Sequence, residues 1–222
     1  MHRKLAGVGR VAVVGVFAAA VLMGSPTACE GEESGGGPFS MEPVSLWKAG
    51  VGSGFKKGTQ ELNVLAGGGV GLQIFGSRSD HDWAIGIIDY GWMLTDVLAE
   101  GRWYQGNLEI LAELFGGEQF HPDVGYFVGA GPHLRYNFAT GTRLVPFIDI
   151  GGGVTATDIR NGDLSTTFQF NLQAALGTHW FLRDDLGLTF QWRFIHLSNA
   201  GIDYPNLGVN NSSFLLGLSW LF

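Results

Sequence analysis

Close to the C-terminus a histidine and a serine stand two residues apart, His196-Leu197-Ser198, inside a run with an extended, alternating pattern. On a β-strand that spacing puts both side chains on one face, with Cβ atoms roughly 7 Å apart, so an imidazole leaning along the strand reaches a hydroxyl. Imidazole beside hydroxyl is the minimum for a nucleophilic serine, because the ring takes the proton while the oxygen attacks an ester carbonyl. Taken alone the pattern is weak. H-x-S arises by chance, and a rim histidine with a capping serine is the plainer reading. The element that carries the pair decides between the two.

That element, segment 186–198, alternates with period two. Leu186, Leu188, Phe190, Trp192 and Phe194 share one face, and Gly187, Thr189, Gln191 and Arg193 share the other. Segment 166–181 repeats the scheme, with Phe168, Phe170, Leu172 and Leu176 opposing Gln169, Asn171, Gln173 and His179. So do 124–138, 107–115 and 212–222, while 60–76, 83–95 and 143–155 are noisier and bring the strands to about eight. Gly67-Gly68-Gly69 reads as a bend or bulge in the first strand. No segment after the leader is an apolar helical run near 20 residues long.

Composition gives the direction of the alternation. Apolar residues make up 45% of the chain and charged residues only 15%, against roughly 25% charged in a soluble domain. Bulky Phe and Trp recur on the apolar face of nearly every strand, too much volume for the lumen of an eight-stranded barrel. The other face carries Glu109, Glu113, Arg135, Gln173, Gln191 and Arg193, whose charges can pair in a small polar interior. Apolar outside and polar inside is the membrane arrangement, and a soluble lipocalin-like barrel is the reverse. The expectation is an all-β fold, an eight-stranded antiparallel up-and-down transmembrane β-barrel over residues 44–222.

The strand parity continues to His196 and Ser198, which therefore meet lipid, where two polar groups are costly unless they bond to each other or serve a purpose. Ending on Phe222, the last residue of an alternating strand, resembles the assembly signal of bacterial outer-membrane barrels. With that end in the periplasm, the His196 end of its strand lies near the outer leaflet. Arg183-Asp184-Asp185 and 139–142 then read as short periplasmic turns and 156–165 and 199–211 as outer loops. The long stretch 96–106 has no account in this scheme.

The N-terminus reads as a targeting segment. Arg3, Lys4 and Arg10 precede an apolar run from Val11 to Met23, and small residues follow up to Thr27-Ala28-Cys29. Residues 1–28 are expected to be a removed signal peptide and 29–43 a flexible acidic linker. Cys29, the single cysteine, excludes an intrachain disulfide. Its acylation as a lipoprotein residue is the alternative, although Pro26 stands where such signals carry an aliphatic side chain. Thirteen basic residues, less the three in the leader, leave ten against twenty acidic ones. Nucleic acid is therefore not an expected partner.

The run Phe194-Ile195-His196-Leu197-Ser198-Asn199-Ala200-Gly201-Ile202, followed by Pro205-Asn206-Leu207-Gly208-Val209-Asn210, resembles the active-site region of the lipid A 3-O-deacylase (PagL) family, also described as acyloxyacyl hydrolase-like. The close resemblance covers roughly residues 190–222. It implies a serine esterase of the outer membrane that removes the acyl chain at position 3 of lipid A. In that comparison His196 matches the general base, Ser198 the nucleophile and Asn199 the asparagine that helps hold the oxyanion, with backbone donors at Ala200-Gly201. Strand parity turns Asn199 inward, so either its backbone acts or the strand twists there.

The third triad member of the family is a glutamate, and this chain has Asn210 in its place. An asparagine orients an imidazole by hydrogen bonding without stabilising its cation. Asp203, in the same loop, is an alternative third member. The expected partners are lipid A or another acylated membrane lipid and the outer membrane itself, with association into a homodimer left open. The chemistry requires no metal or cofactor. His81, His121, His133 and His179 lack ligand spacing, and the Gly-rich runs lack the Lys-Ser/Thr of a phosphate loop. A non-enzymatic structural or channel barrel and a phospholipase remain as competing functions.

Overall fold

The structure is a computed structural model and describes residues 55–160 and 162–222; the expected signal segment and linker lie outside these residues. Eight antiparallel strands follow one another in chain order and close on themselves. They are β1 (Gln60–Gly71), β2 (Asp82–Met93), β3 (Gly106–His121), β4 (Gly125–Phe138), β5 (Leu144–Thr157), β6 (Phe168–Phe181), β7 (Leu186–Ser198) and β8 (Val209–Leu221). Closure comes from β1 pairing with β8, from Glu61 opposite Leu221 to Gly71 opposite Asn211. A closed barrel satisfies every strand's backbone laterally and leaves no edge.

The alternation in the sequence becomes the two sides of this wall. Val64, Ile88, Leu114, Leu134, Leu172 and Phe214 project outward, with Trp92, Trp192 and Trp220 among them, and remain exposed. The inward positions are more varied than the sequence suggests. At mid-height Arg135 reaches Glu61 (2.9 Å), Asp149 (3.2 Å) and Asp89 (3.4 Å), while Arg193 bonds Glu113 and, at 2.6 Å, Gln173. His133 Nδ1 lies 2.6 Å from Asp149.

This polar belt is closed above and below by apolar layers. Trp83, Phe115, Phe127, Ile195, Leu197 and Val209 are buried toward the end that carries His196, and Phe55, Met93, Val145, Phe181 and Leu221 toward the opposite end. The small polar interior expected from the charged strand residues is present but confined to mid-height. Near both rims the inward face carries large apolar side chains, because a lumen of this width is filled by side chains and not by water.

Two further expectations change. Gly67-Gly68-Gly69 carries no bulge, since its ladders to β2 and β8 run in unbroken register. The glycine is needed for close approach: a Cβ at Gly67 would sit 1.9 Å from the Phe214 carbonyl oxygen. The bulge lies at Asp82/Trp83 instead, opposite Gln119 and His121. The unexplained stretch 96–106 folds back on itself through a bridge between Leu98 and Gly106. It is tied to the next turn by Gln105, whose side-chain amide donates to the Ala139 carbonyl at 2.7 Å.

Candidate active site

β7 and β8 run side by side with His196 directly opposite Asn210 and Ile195 opposite Asn211. That register brings the Asn210 Oδ1 to 2.7 Å from His196 Nδ1. The other half of the amide is committed as well, because Asn210 Nδ2 donates to the Ile74 carbonyl at 2.8 Å. A carbonyl oxygen only accepts, so the nitrogen of the amide must face Ile74 and its oxygen must face the ring. Nδ1 therefore carries the proton and donates it to Asn210, leaving the Nε2 lone pair free to act as a base.

His196 and Ser198 both line a cleft of 490 Å³ on the outer side of the wall, with Phe194, Ala174, Phe75 and Leu207. Each is half-buried, and Asn210 behind them is fully buried. The Ser198 hydroxyl has no hydrogen-bond partner among the described residues, His196 included. Gly208 forms the ceiling over the imidazole. Its φ of +82° favours glycine, and a Cβ there would stand 2.9 Å from His196 Cε1.

The remaining expected site residues do not line the cleft. Asn199 points inward and is fully buried. Its Nδ2 donates to Ser165 Oγ (3.1 Å) and to the Asp203 carbonyl (2.9 Å), and its Oδ1 accepts from Gly201 N at 2.9 Å. Asn199 and Gly201 thus make a turn. Asp203 is exposed, its carboxylate accepts from Tyr204 N, and Asn210 occupies the place beside His196. His133 and His179 are buried inside the barrel, His81 is buried in the connection between β1 and β2, and His121 is exposed at the rim.

Reading the sequence alone missed three contributors. Ile74 acts through a backbone carbonyl and Gly208 through the side chain it lacks, and neither leaves a signal in residue type. Asn206 lines the cleft, and its Oδ1 accepts from Asn199 N at 2.9 Å. It belongs to the Pro205-Asn206-Leu207-Gly208 run already singled out, so its position was available although its role was not.

Two solved outer-membrane proteins share the barrel. The outer membrane enzyme PagL matches with a TM-score of 0.54 at 22% identity, over 70% of this chain and 97% of that one. The Neisserial surface protein A (NspA) matches with a TM-score of 0.55 at 13% identity, over 75% of this chain and 100% of that one. At such identities the likeness concerns the fold. No curated protein sequence matches. The family model described as lipid A 3-O-deacylase (PagL) matches residues 88–219, a span that holds β3 to β7 whole and parts of β2 and β8, together with His196, Ser198 and Asn210. This outer-membrane β-barrel belongs to the lipid A 3-O-deacylase (PagL) family.

Proposed function

We propose that the protein is a serine esterase that hydrolyses the ester-linked acyl chain at the 3-O position of lipid A, with the His196 end of the barrel at the outer leaflet. The observation that carries the reading is the chain Ile74–Asn210–His196 ending on a lipid-facing cleft that also holds Ser198. His196 Nε2 takes the Ser198 proton as Oγ attacks the ester carbonyl. The tetrahedral intermediate collapses with loss of the sugar hydroxyl, which receives that proton from His196, and leaves an acyl-serine. Water, deprotonated in turn by His196, releases the fatty acid and restores Ser198.

Asn210 acts as the third member. Replacing the acid of a serine-protease triad by asparagine is damaging chiefly because the wrong histidine tautomer results, at a cost of about 10⁴ in kcat. Here the Ile74 carbonyl turns the amide so that the right tautomer is selected, and only the charge stabilisation is forgone. The oxyanion donor in the cleft is the Asn206 side chain, whose Oδ1 is engaged and whose amide N–H groups remain. Asn199 and Gly201 hold the turn that presents it.

The closed lumen supports the enzymatic reading over a channel, because buried apolar layers cap both ends of the polar belt. Offering the purified barrel lipid A or glycerophospholipid in the same detergent tests the substrate. Release of 3-hydroxy fatty acid from lipid A alone is the expected result. Equal release from phospholipid would move the protein to the phospholipases, and no release from either would remove the esterase reading.

A further inference from the structure

One buried carboxylate at the His196 end is used neither by the barrel wall nor by the reaction. Asp163, in the connection between β5 and β6, is 1% exposed. It accepts from Ser77 Oγ (3.3 Å), Arg78 N (3.2 Å) and Ser79 N (3.0 Å), and it lies 3.0 Å from His81 Nε2, all in the connection between β1 and β2. Its own backbone carbonyl accepts from Leu207 N at 2.9 Å, in the connection between β7 and β8. Three loops from three strand pairs converge on one residue. The barrel is already closed by its ladders, so a buried acid this far from the lumen belt calls for another purpose.

The hydrogen bonds lead from it to the site. Ser77, whose hydroxyl meets Asp163, also donates its backbone N–H to the Ile74 carbonyl at 3.1 Å. That carbonyl is the one that takes Asn210 Nδ2 at 2.8 Å, and Asn210 Oδ1 meets His196 at 2.7 Å. On the other side, the Leu207 contact and the bridge between Leu164 and Asn206 fix the wall of the cleft.

Resting on the esterase reading, we infer that Asp163 is a positioning residue that sets the tautomer of His196 by holding the Ile74 carbonyl against the Asn210 amide. A triad closed by a carboxylate needs no such device, since both its oxygens accept. A triad closed by an amide does, because a flipped amide turns N–H toward Nδ1 and draws the proton to Nε2, which abolishes the base.

The test is a ¹⁵N-histidine spectrum of the full barrel in micelles at alkaline pH, with His196 assigned by its loss in His196→Gln. Wild type shows one neutral tautomer, protonated on Nδ1. Asp163→Asn shows a mixture, and Ser77→Ala shifts the same way by less and carries the test if Asp163→Asn does not fold. In turnover, Asp163→Asn lowers kcat at least tenfold, yet lowers it less than twofold further in an Asn210→Ala background, because the two act through one contact. An unchanged tautomer in both variants, or losses that multiply in full, would overturn the inference. If wild type hydrolyses nothing, the esterase reading fails while the spectrum still decides the role of Asp163.

Discussion

At His196 the state of one ring nitrogen is set by a neighbour without charge. Asn210 presents its oxygen to Nδ1 only because its nitrogen is taken by Ile74. Restoring an acid is therefore predicted to harm. In Asn210→Asp a carboxylate oxygen would face the Ile74 carbonyl, acceptor against acceptor, at a cost of about 1–3 kcal/mol. We expect kcat roughly tenfold below wild type, the equivalent of about 1.4 kcal/mol; a faster Asn210→Asp enzyme would show that Ile74 does not hold the amide. Gly208 is constrained both by its φ and by the ring beneath it. Gly208→Ala is expected to destabilise by more than about 1 kcal/mol and to lower kcat by displacing the imidazole. Thermal unfolding and turnover, measured on the same sample, check both effects.

Among the elements, β7 was the most legible in the sequence. Its bulky outward residues and its polar inward ones alternate from Leu186 to Phe194, and extending that parity gives the face of His196 and Ser198 although Ile195 and Leu197 make the inward side apolar there. The partner across the ladder did not. Which residue of β8 lies opposite His196 depends on the path of the 199–208 loop, and only the comparison with a family pointed to Asn210. The alternation that marks β3 in the sequence stops at residue 115, where Gly116-Gly117-Glu118-Gln119 interrupts the apolar rhythm, although the strand continues to His121. Gly67-Gly68-Gly69 holds no bulge, and residue type alone does not separate that from close approach, because an absent side chain serves both equally well. The convergence of Ser77, His81 and Asp163 had no signature at all, since residues more than eighty positions apart meet only once the barrel has closed.

For the whole molecule, the lumen separates stability from function. Arg135 is fully buried and is the shared countercharge of Glu61, Asp89 and Asp149. Removing one side of such a network leaves charges stranded, at a cost of roughly 3–5 kcal/mol. Arg135→Met should therefore lose its folded, fast-migrating form in detergent gels at a lower temperature than wild type. Retention of wild-type heat resistance would mean that the belt contributes little. The His196 end is held by other contacts, on the outside of the wall and in the loops, so on the proposed esterase reading the folded fraction of that variant should still turn over substrate.

The central claim is that Ser198, seated on the lipid face beside His196, is the nucleophile for a lipid A ester. The direct measurement places wild type and Ser198→Ala in vesicles containing lipid A and follows the mass of the lipid. Loss of one 3-hydroxyacyl chain is expected with wild type and an unchanged mass with Ser198→Ala, both barrels being folded. Equal loss with the two proteins would contradict it.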